Sequence, residues 1–151
     1  MLVRSRRTVS RAAAIALAAA LSIGSLAPPA GALTRLEDRL LDRINGARQN
    51  RGLRTLRASD WLSQKARGHS IRMARRGTLF HNSCLSCMFR TRRWDKIGEN
   101  IGVAAHVRRV HRLMMRSSGH RSNILGRGYH SIGVGVKRTR RGVWVTEIFW
   151  G

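Results

Sequence analysis

The order of helical and extended segments in the sequence predicts an α+β domain. Residues 36–51 and about 60–76 carry apolar side chains three or four positions apart, the spacing of helices. A third helix is expected over residues 104–117, followed by a glycine hinge and about one further helical turn. The chain then closes with two β-rich segments, residues 129–137 and 143–150, separated by a turn. Helices followed by such a hairpin are typical of α+β folds.

Capping residues set the limits of the first two helices. Thr34 and Glu37 form a capping-box pattern at the start of the first helix, and Gly52 supplies a left-handed stop. Ser59 or Asp60 can cap the second helix, which is expected to end at the residues before Gly77.

The first of the two β-rich segments carries a face without large side chains. In residues 129–137, Ile132, Val134 and Val136 alternate with serine and glycine. A strand face of serine and glycine predicts that a neighbouring element packs very close to the backbone. Earlier in the chain, Trp94 is expected to anchor the segment just before residues 96–102.

The first 32 residues read as a secretory signal peptide. Four arginines precede the apolar run 12–27, and the small-residue triplet 30–32 ends the segment. The apolar run is too short to span a bilayer comfortably, and the well-formed small-residue site disfavours a retained anchor. Arg6 and Arg7 form a pair that suits the twin-arginine export route. The mature domain would then comprise residues 33–151, with no transmembrane segment, and the protein is expected to be extracellular or associated with the cell envelope.

The mature chain is strongly basic. The full sequence carries a net charge of +23, and removing the four arginines of the signal peptide leaves 26 basic against 7 acidic residues, or +19. Such a field attracts anionic lipid surfaces or acidic envelope polymers. Aromatic residues make up only 5% and do not alternate with basic ones, so a base-stacking platform for nucleic acid is not indicated.

One acid and two histidines are the candidate site residues. Glu99 lies in a run of glycine and isoleucine, residues 97–102, which predicts a carboxylate walled by apolar side chains. His81 and His120 are its candidate partners. His69 lies on the apolar face of the second helix and is interpreted as a hydrogen-bonded core residue. The five-residue spacing of His106 and His111 places them on different helix faces, so neither is expected in a site.

Cys84 and Cys87 form a C-x-x-C pair in a turn-like segment. In an exported protein this pair can be a small disulfide, a redox pair or half of a metal site. There is no second pair for a four-thiolate zinc site and no thioredoxin-like context. A local disulfide is the favoured interpretation.

With these segments in order, the mature chain resembles a CAP-superfamily domain, the group of cysteine-rich secretory proteins, antigen 5, pathogenesis-related 1 proteins and bacterial SCP-like proteins. The resemblance covers residues 36–151 and depends on the order of its motifs. These motifs include Leu41-x-x-Ile44-Asn45-x-x-Arg48, Ala66-x-x-His69-Ser70, Phe80-His81, Gly98-Glu99-Asn100-Ile101, Ser117-x-Gly119-His120-Arg121-x-Asn123-Ile124-Leu125 and Ile132-Gly133-Val134-Gly135.

The resemblance implies a three-layer α-β-α sandwich with a small antiparallel sheet and a central cavity lined by two histidines and two acids. The matching positions here are His81, Glu99 and His120. The second acid is absent, because no Asp or Glu lies between Ile101 and Arg121.

Three functions are compatible with this resemblance. Two imidazoles and a carboxylate can bind zinc or another divalent cation. Alternatively, Glu99 has a structural role only, accepting hydrogen bonds from a neighbouring histidine and helix amides and holding the central sheet to the third helix. A secreted binding module for a lipid, an amphiphile or an anionic envelope polymer, in peripheral contact with a membrane, is the favoured function. The alternative is a secreted hydrolase, metal-dependent or using Glu99 with His81 and His120 for acid-base chemistry.

Overall fold

The computed structural model describes residues 32–90 and 93–151. The predicted signal peptide therefore lies outside the described residues, except for its last residue, Ala32. The elements follow in the order α1 (Arg35–Gln49), β1 (Arg57–Ala58), α2 (Asp60–Arg76), a 3-10 turn (Ser86–Phe89), β2 (Ile97–Ala104), α3 (Val107–Arg116), α4 (Ser118–Ile124), β3 (Ser131–Thr139) and β4 (Gly142–Trp150). Within the described ranges, no helix is both long and apolar enough to cross a membrane.

The four strands form one sheet between two layers of helices. Their order is β1-β3-β4-β2, with β3, β4 and β2 antiparallel and the two-residue β1 parallel to β3. Helix α2 covers one face, while α1, α3 and α4 pack on the other. The structure thus confirms the predicted α+β sandwich, with one short parallel pair making the sheet mixed.

The first two helices begin where their caps predict. The Thr34 amide donates to Glu37 Oε2 at 2.8 Å, and the Glu37 amide donates to Thr34 Oγ1 at 3.4 Å, which completes the capping box. Ser59 caps α2, and Gly77 ends it with a left-handed φ of 69°. These ends depend on residues close in sequence, which explains why the sequence predicts them.

The third helix begins three residues later than predicted. Residues 97–104 pair along their whole length with β4, with Ala104 opposite Val143, so the start of the predicted helix belongs to a strand. The turn expected after the glycine hinge is the seven-residue helix α4. Strand pairing with a segment about forty residues away overrides the local helical pattern.

The chain before β2 is held by backbone pairing and not by Trp94, which is 41% exposed. The amides of Asp95 and Lys96 donate to the carbonyl of Gly151, and the Gly151 amide donates back to the Lys96 carbonyl. The expectation that Trp94 anchors this segment was wrong because the last residue of the chain provides the anchor instead.

Arg48 is a fully buried cation that joins α1 to the segment after α4. Its guanidinium donates to the carbonyl oxygens of Arg54, Ile124 and Gly126 at 2.8 to 3.0 Å. The pKa of Arg48 is lowered, mainly by its burial and to a smaller extent by the charge of Arg54. Carbonyl dipoles therefore compensate a charge that has no carboxylate partner among the described residues.

Helix α2 packs directly against the backbone of β3. A Cβ on Gly133 would collide with the backbone of Leu62, and one on Gly135 would collide with Ala66 and Arg67. Two serines on the same helix bond to the β3 backbone, Ser63 to the Val134 amide and Ser70 to the Gly135 carbonyl. This agrees with the close approach predicted from the serine and glycine face.

Gly133→Ala is expected to destabilise the fold by about 1 to 3 kcal/mol, because the added methyl group must displace α2. Gly46→Ala is the matched control, since nothing lies within 4 Å of that position on α1, and a helix-interior alanine is favoured over glycine by about 1 kcal/mol. Urea unfolding of both variants measures the difference. Equal stability of Gly133→Ala and the wild type would contradict the close packing.

Candidate functional site

The alternation of strand β2 distributes the site over both faces of the sheet. Glu99 pairs with Ile148 and its side chain faces α2, whereas Asn100 pairs with Glu147 and faces α3 and α4. The next two residues follow the same alternation, so Ile101 contacts the α2 side and Gly102 lies under α3. Because β2 is the last strand in the sheet order, both sets of side chains lie next to an open edge.

Glu99 is held by the loop that follows α2. Its side chain is 4% exposed, and Oε1 lies 2.8 Å from His81 Nδ1 and 2.9 Å from the Asn82 amide. The Asn82 side-chain amide donates to Oε2. Both carboxylate oxygens therefore already accept hydrogen bonds, from three donors in total.

His81 is largely exposed, although its Nδ1 is bound to Glu99. Its side chain is 61% exposed, and the contact with Glu99 assigns the proton of the neutral ring to Nδ1. This leaves Nε2 free to meet a ligand. A carboxylate behind a histidine in this way fixes the tautomer and orients the ring.

His120 lies across a cleft of about 300 Å³ that His81 and Glu99 also line. It is carried by α4, and the cleft is completed by Asn100, Ser117, Gly119, Ser122 and Asn123. Burial, and then the charge of His81, lowers the pKa of His120. His120 is therefore mainly neutral at pH 7. The structure brings the three predicted residues to one cleft, with only His81 and Glu99 in direct contact.

The donor set is sparse for a metal ion. Among residues 32–90 and 93–151, no group of three or more His, Cys, Asp or Glu side chains is arranged to hold one. Glu99 directs its oxygens at His81 and Asn82, so the cleft offers two imidazoles and no carboxylate ligand among the residues described.

A buried polar network beneath the cleft was not predicted from the sequence. Asn100 Nδ2 donates to Glu147 Oε2 at 2.9 Å and to the carbonyl of His120 at 3.1 Å. Asn123 Nδ2 donates to Asn100 Oδ1 at 2.9 Å and to the Glu99 carbonyl at 3.3 Å. The network therefore ties α4, and with it His120, to strand β2.

Glu147 is the buried end of this network. It is fully buried between apolar neighbours on β4, and its Oε1 has no hydrogen-bond partner among the described residues. Burial raises its pKa to about 7. The alternation of Val143, Val145 and Phe149 around it was the available signal, because it places residue 147 on the inward face.

An apolar groove of about 270 Å³ adjoins the polar cleft. Leu79 and Leu113 line it and are 43% and 46% exposed, although both are large hydrophobic residues. Its floor is formed by β2 and its far wall by α3. Ser117 and His120 line both the groove and the polar cleft, so the two spaces are contiguous.

The other histidines and the cysteines lie outside the cleft. His69 is buried, with Nε2 2.7 Å from the Phe80 carbonyl, as expected for a hydrogen-bonded core residue. His106 is the residue before α3, and His111 is partly buried on that helix. Cys84 and Cys87 form a disulfide within the loop that follows Ser83.

A sequence model of the cysteine-rich secretory protein family, CAP, matches residues 41–149. The chain belongs to this family. The match includes Glu99 and both cleft histidines, and it covers every helix and strand except the first turns of α1 and the last residue of β4. No curated protein matches the sequence.

Solved structures share the fold at low sequence identity. An outer surface protein from Borrelia burgdorferi has 17% identity and a TM-score of 0.67, over 75% of this chain and 90% of that one. An extracellular protein with an SCP domain from Bacillus anthracis has 25% identity and a TM-score of 0.63, over 80% of this chain and 44% of that one. This CAP chain thus spans less than half of the Bacillus protein.

A third solved structure with a similar fold contains zinc. NaASP2, whose crystal structure is described as containing Zn²⁺, has 11% identity and a TM-score of 0.60, over 81% of this chain and 82% of that one. At this identity the likeness extends to the fold alone.

Glu147→Gln is expected to remove a pH dependence of stability. An unfolded glutamate loses its proton near pH 4.5 and folded Glu147 near 7, so the free energy of unfolding of the wild type decreases as the pH rises through this window. Glu147→Gln has no carboxyl group to titrate at this position. Between pH 4 and pH 8 its free energy of unfolding is therefore expected to rise by about 3 kcal/mol relative to that of the wild type.

Urea unfolding at several pH values measures this gain. Asp38→Asn, at an exposed position of α1, is the control and is expected to retain the wild-type slope. Parallel stability curves for the wild type and Glu147→Gln would rule out a buried acid that is protonated in the folded state.

Proposed function

We propose that this CAP domain is a secreted binding module that holds an amphiphilic molecule at the open edge of its sheet. The observation that carries the proposal is the contiguity of the apolar groove and the His81, Glu99 and His120 cleft. A ligand with an apolar body and a polar end would meet a matching surface at each end. Such a mostly apolar site with a few placed polar groups is typical of small-molecule binding.

Exposed leucines support the apolar part of this site. Leu79 and Leu113 are two of three large hydrophobic residues that are exposed in the described chain, and both line the groove. Exposed hydrophobic residues gathered in one groove indicate a binding surface more strongly than scattered ones.

The polar cleft is better suited to binding than to hydrolysis. A general base needs a lone pair within reach of the substrate, but the Glu99 side chain is 4% exposed and three donors take up most of its lone pairs. Glu99 instead orients His81. In the hydrolase alternative, with Glu99, His81 and His120 as catalytic groups, a histidine would therefore have to be the base. The apolar groove that continues the cleft favours binding over this alternative.

The proposed location is outside the cell or at its envelope. The signal-peptide pattern of residues 1–32 supports export, and similar folds occur in an outer surface protein and an extracellular protein. A mature charge of +19 would add attraction to anionic lipids or envelope polymers.

Leu113→Ser is expected to weaken binding of a fluorescent sixteen-carbon fatty acid about tenfold or more, because one buried leucine contributes about 1.5 to 3 kcal/mol. Fluorescence titration in low and high salt measures the affinity. Binding in an apolar groove should persist at high salt, which screens only the attraction between charges. Trp94→Ser is the matched control, since Trp94 is also an exposed hydrophobic residue but lies outside the groove. Failure of the wild type to bind, or equal losses in both variants, would refute the proposal.

Zinc is a second candidate ligand of the cleft, and the free Nε2 of His81 is the observation that favours it. His81 and His120 would hold the ion, with Glu99 behind His81, and the ion would supply a positive centre for the polar end of a ligand. The lowered pKa of His120 favours the neutral imidazole that a metal requires. The zinc in NaASP2 is consistent with a zinc site in this cleft, but the proposal does not depend on it.

Calorimetric titration with zinc tests this second candidate. His81→Ala and His120→Ala should each reduce the affinity about tenfold or more, since each removes one of two ligands. His106→Ala, at the residue before α3, is expected to leave the affinity unchanged. Unchanged binding in the cleft variants, or none in the wild type, would exclude zinc from this site.

A further inference from the structure

A second polar pocket of about 270 Å³ lies on the other side of His81, between the end of α2 and residues 80–83. Two arginines line it, Arg72 and Arg76. They are four residues apart on α2, so their side chains project from the same helix face.

Arg72 is held in place by two acceptors. Its Nη2 lies 3.0 Å from His69 Nδ1 and 3.3 Å from Asn82 Oδ1. His69 is in turn fixed through Nε2, which lies 2.7 Å from the Phe80 carbonyl. Donation from Nε2 to this carbonyl leaves Nδ1 as an acceptor, which matches the contact with Arg72. The guanidinium is thereby oriented while several of its five donors remain available.

Arg76 is positioned by an aromatic ring. Its guanidinium carbon lies 4.7 Å from the centre of the Phe80 ring. Stacking of this kind steadies a guanidinium without using its hydrogen-bond donors. Ser83 lines the same pocket, and a serine hydroxyl is a neutral hydrogen-bond donor.

Among the described residues, no carboxylate lines the pocket to neutralise these cations. In the part of the chain that the structure describes, the ion pairs are Arg67 with Glu37 and His81 with Glu99. Glu99 is the nearby acid, but His81 and Asn82 already bond to its oxygens. Two oriented guanidinium groups therefore face the pocket without an ion-pair partner among the described residues.

We propose that Arg72 and Arg76 form a binding site for a phosphate group. A phosphate offers several strong acceptor oxygens, and paired arginines bind such groups through short, charge-assisted hydrogen bonds. The group could belong to a soluble phosphoester or to the head of a phospholipid, since both present the same oxygens. The site goes beyond the proposed amphiphile binding, because neither arginine lines the apolar groove or the central cleft.

Asn82 connects the phosphate site to the central cleft. Its side-chain oxygen accepts from Arg72, and its side-chain amide donates to Glu99. Glu99 contacts His81, which lines both polar spaces. A bound phosphate would therefore lie beside the exposed ring of His81.

The test combines two probes with the full-length mature protein. Calorimetry with glycerol 3-phosphate reports binding of a soluble phosphoester. Co-sedimentation with phosphatidylcholine vesicles, with and without phosphatidic acid, reports binding of a lipid head group. The double variant Arg72→Gln with Arg76→Gln is expected to weaken the affinity for at least one probe by about tenfold or more, because it removes charge-assisted hydrogen bonds.

Arg108→Gln with Arg112→Gln is the matched control. These arginines are also exposed and four residues apart, but they lie on α3, so the variant removes the same charge without touching the pocket. The single variant Arg76→Gln keeps the hydrogen bonds of Arg72 to His69 and Asn82. It should also weaken binding, which would show that the loss in the double variant does not come from a rearrangement of these contacts. Loss in the Arg72 and Arg76 variants alone supports the site. The proposed site is overturned if the wild type binds neither probe. It is also overturned if the control loses as much affinity, because binding is then a general attraction to a basic protein.

The two proposals fail separately. Leu113→Ser should leave glycerol 3-phosphate binding unchanged, and the arginine variants should leave fatty-acid binding at high salt unchanged. Binding of glycerol 3-phosphate without retention on vesicles assigns the site to soluble phosphoesters, whereas retention on vesicles that requires phosphatidic acid assigns it to phospholipid head groups.

Discussion

The pairing of β2 with β4 is the constraint on which the site depends. One register fixes Glu99 opposite Ile148 and Asn100 opposite Glu147. Adjacent residues of a strand face opposite sides of the sheet, and a shift by one residue would exchange them. Glu99 would then face the apolar layer beneath α3, and Asn100 would lose its contact with Glu147. The register is therefore as important to the site as the identity of its residues.

Polar groups on the two faces of β2 have different roles. On the α2 side, Glu99 meets the loop that carries His81 and Asn82, which positions groups at the surface. On the other side, Asn100 meets Glu147 and the carbonyl of His120, which positions α4 from within. A buried carboxyl group without a full set of partners is costly unless it is protonated. The stability of the fold near neutral pH is thus coupled to the same network that supports the cleft.

The spaces around His81 and His120 change in character along the edge of the sheet. The groove beside Leu113 is apolar, the central cleft is polar, and the pocket beside Arg72 is cationic. Each type of surface matches a different chemical group. The high net charge increases attraction to anions everywhere, whereas Arg72 and Arg76 combine that charge with fixed geometry and an open pocket.

The sequence by itself determined the features that depend on near neighbours or on repeating patterns. Thr34, Ser59 and Gly77 set helix ends through local hydrogen bonds or a left-handed backbone, and Gly133 revealed the close contact with α2. The family motifs identified the fold and selected Glu99 and the two histidines. Only the tertiary structure decided that Ala104 belongs to a strand, that Glu147 supports the cleft, and that Arg72 and Arg76 face an open pocket. The strand position of Ala104 and the pocket of the two arginines depend on contacts between segments far apart in sequence, which leave no local pattern in the chain. The alternation of β4 placed Glu147 on the inward face, but only the structure showed that Asn100 is its partner.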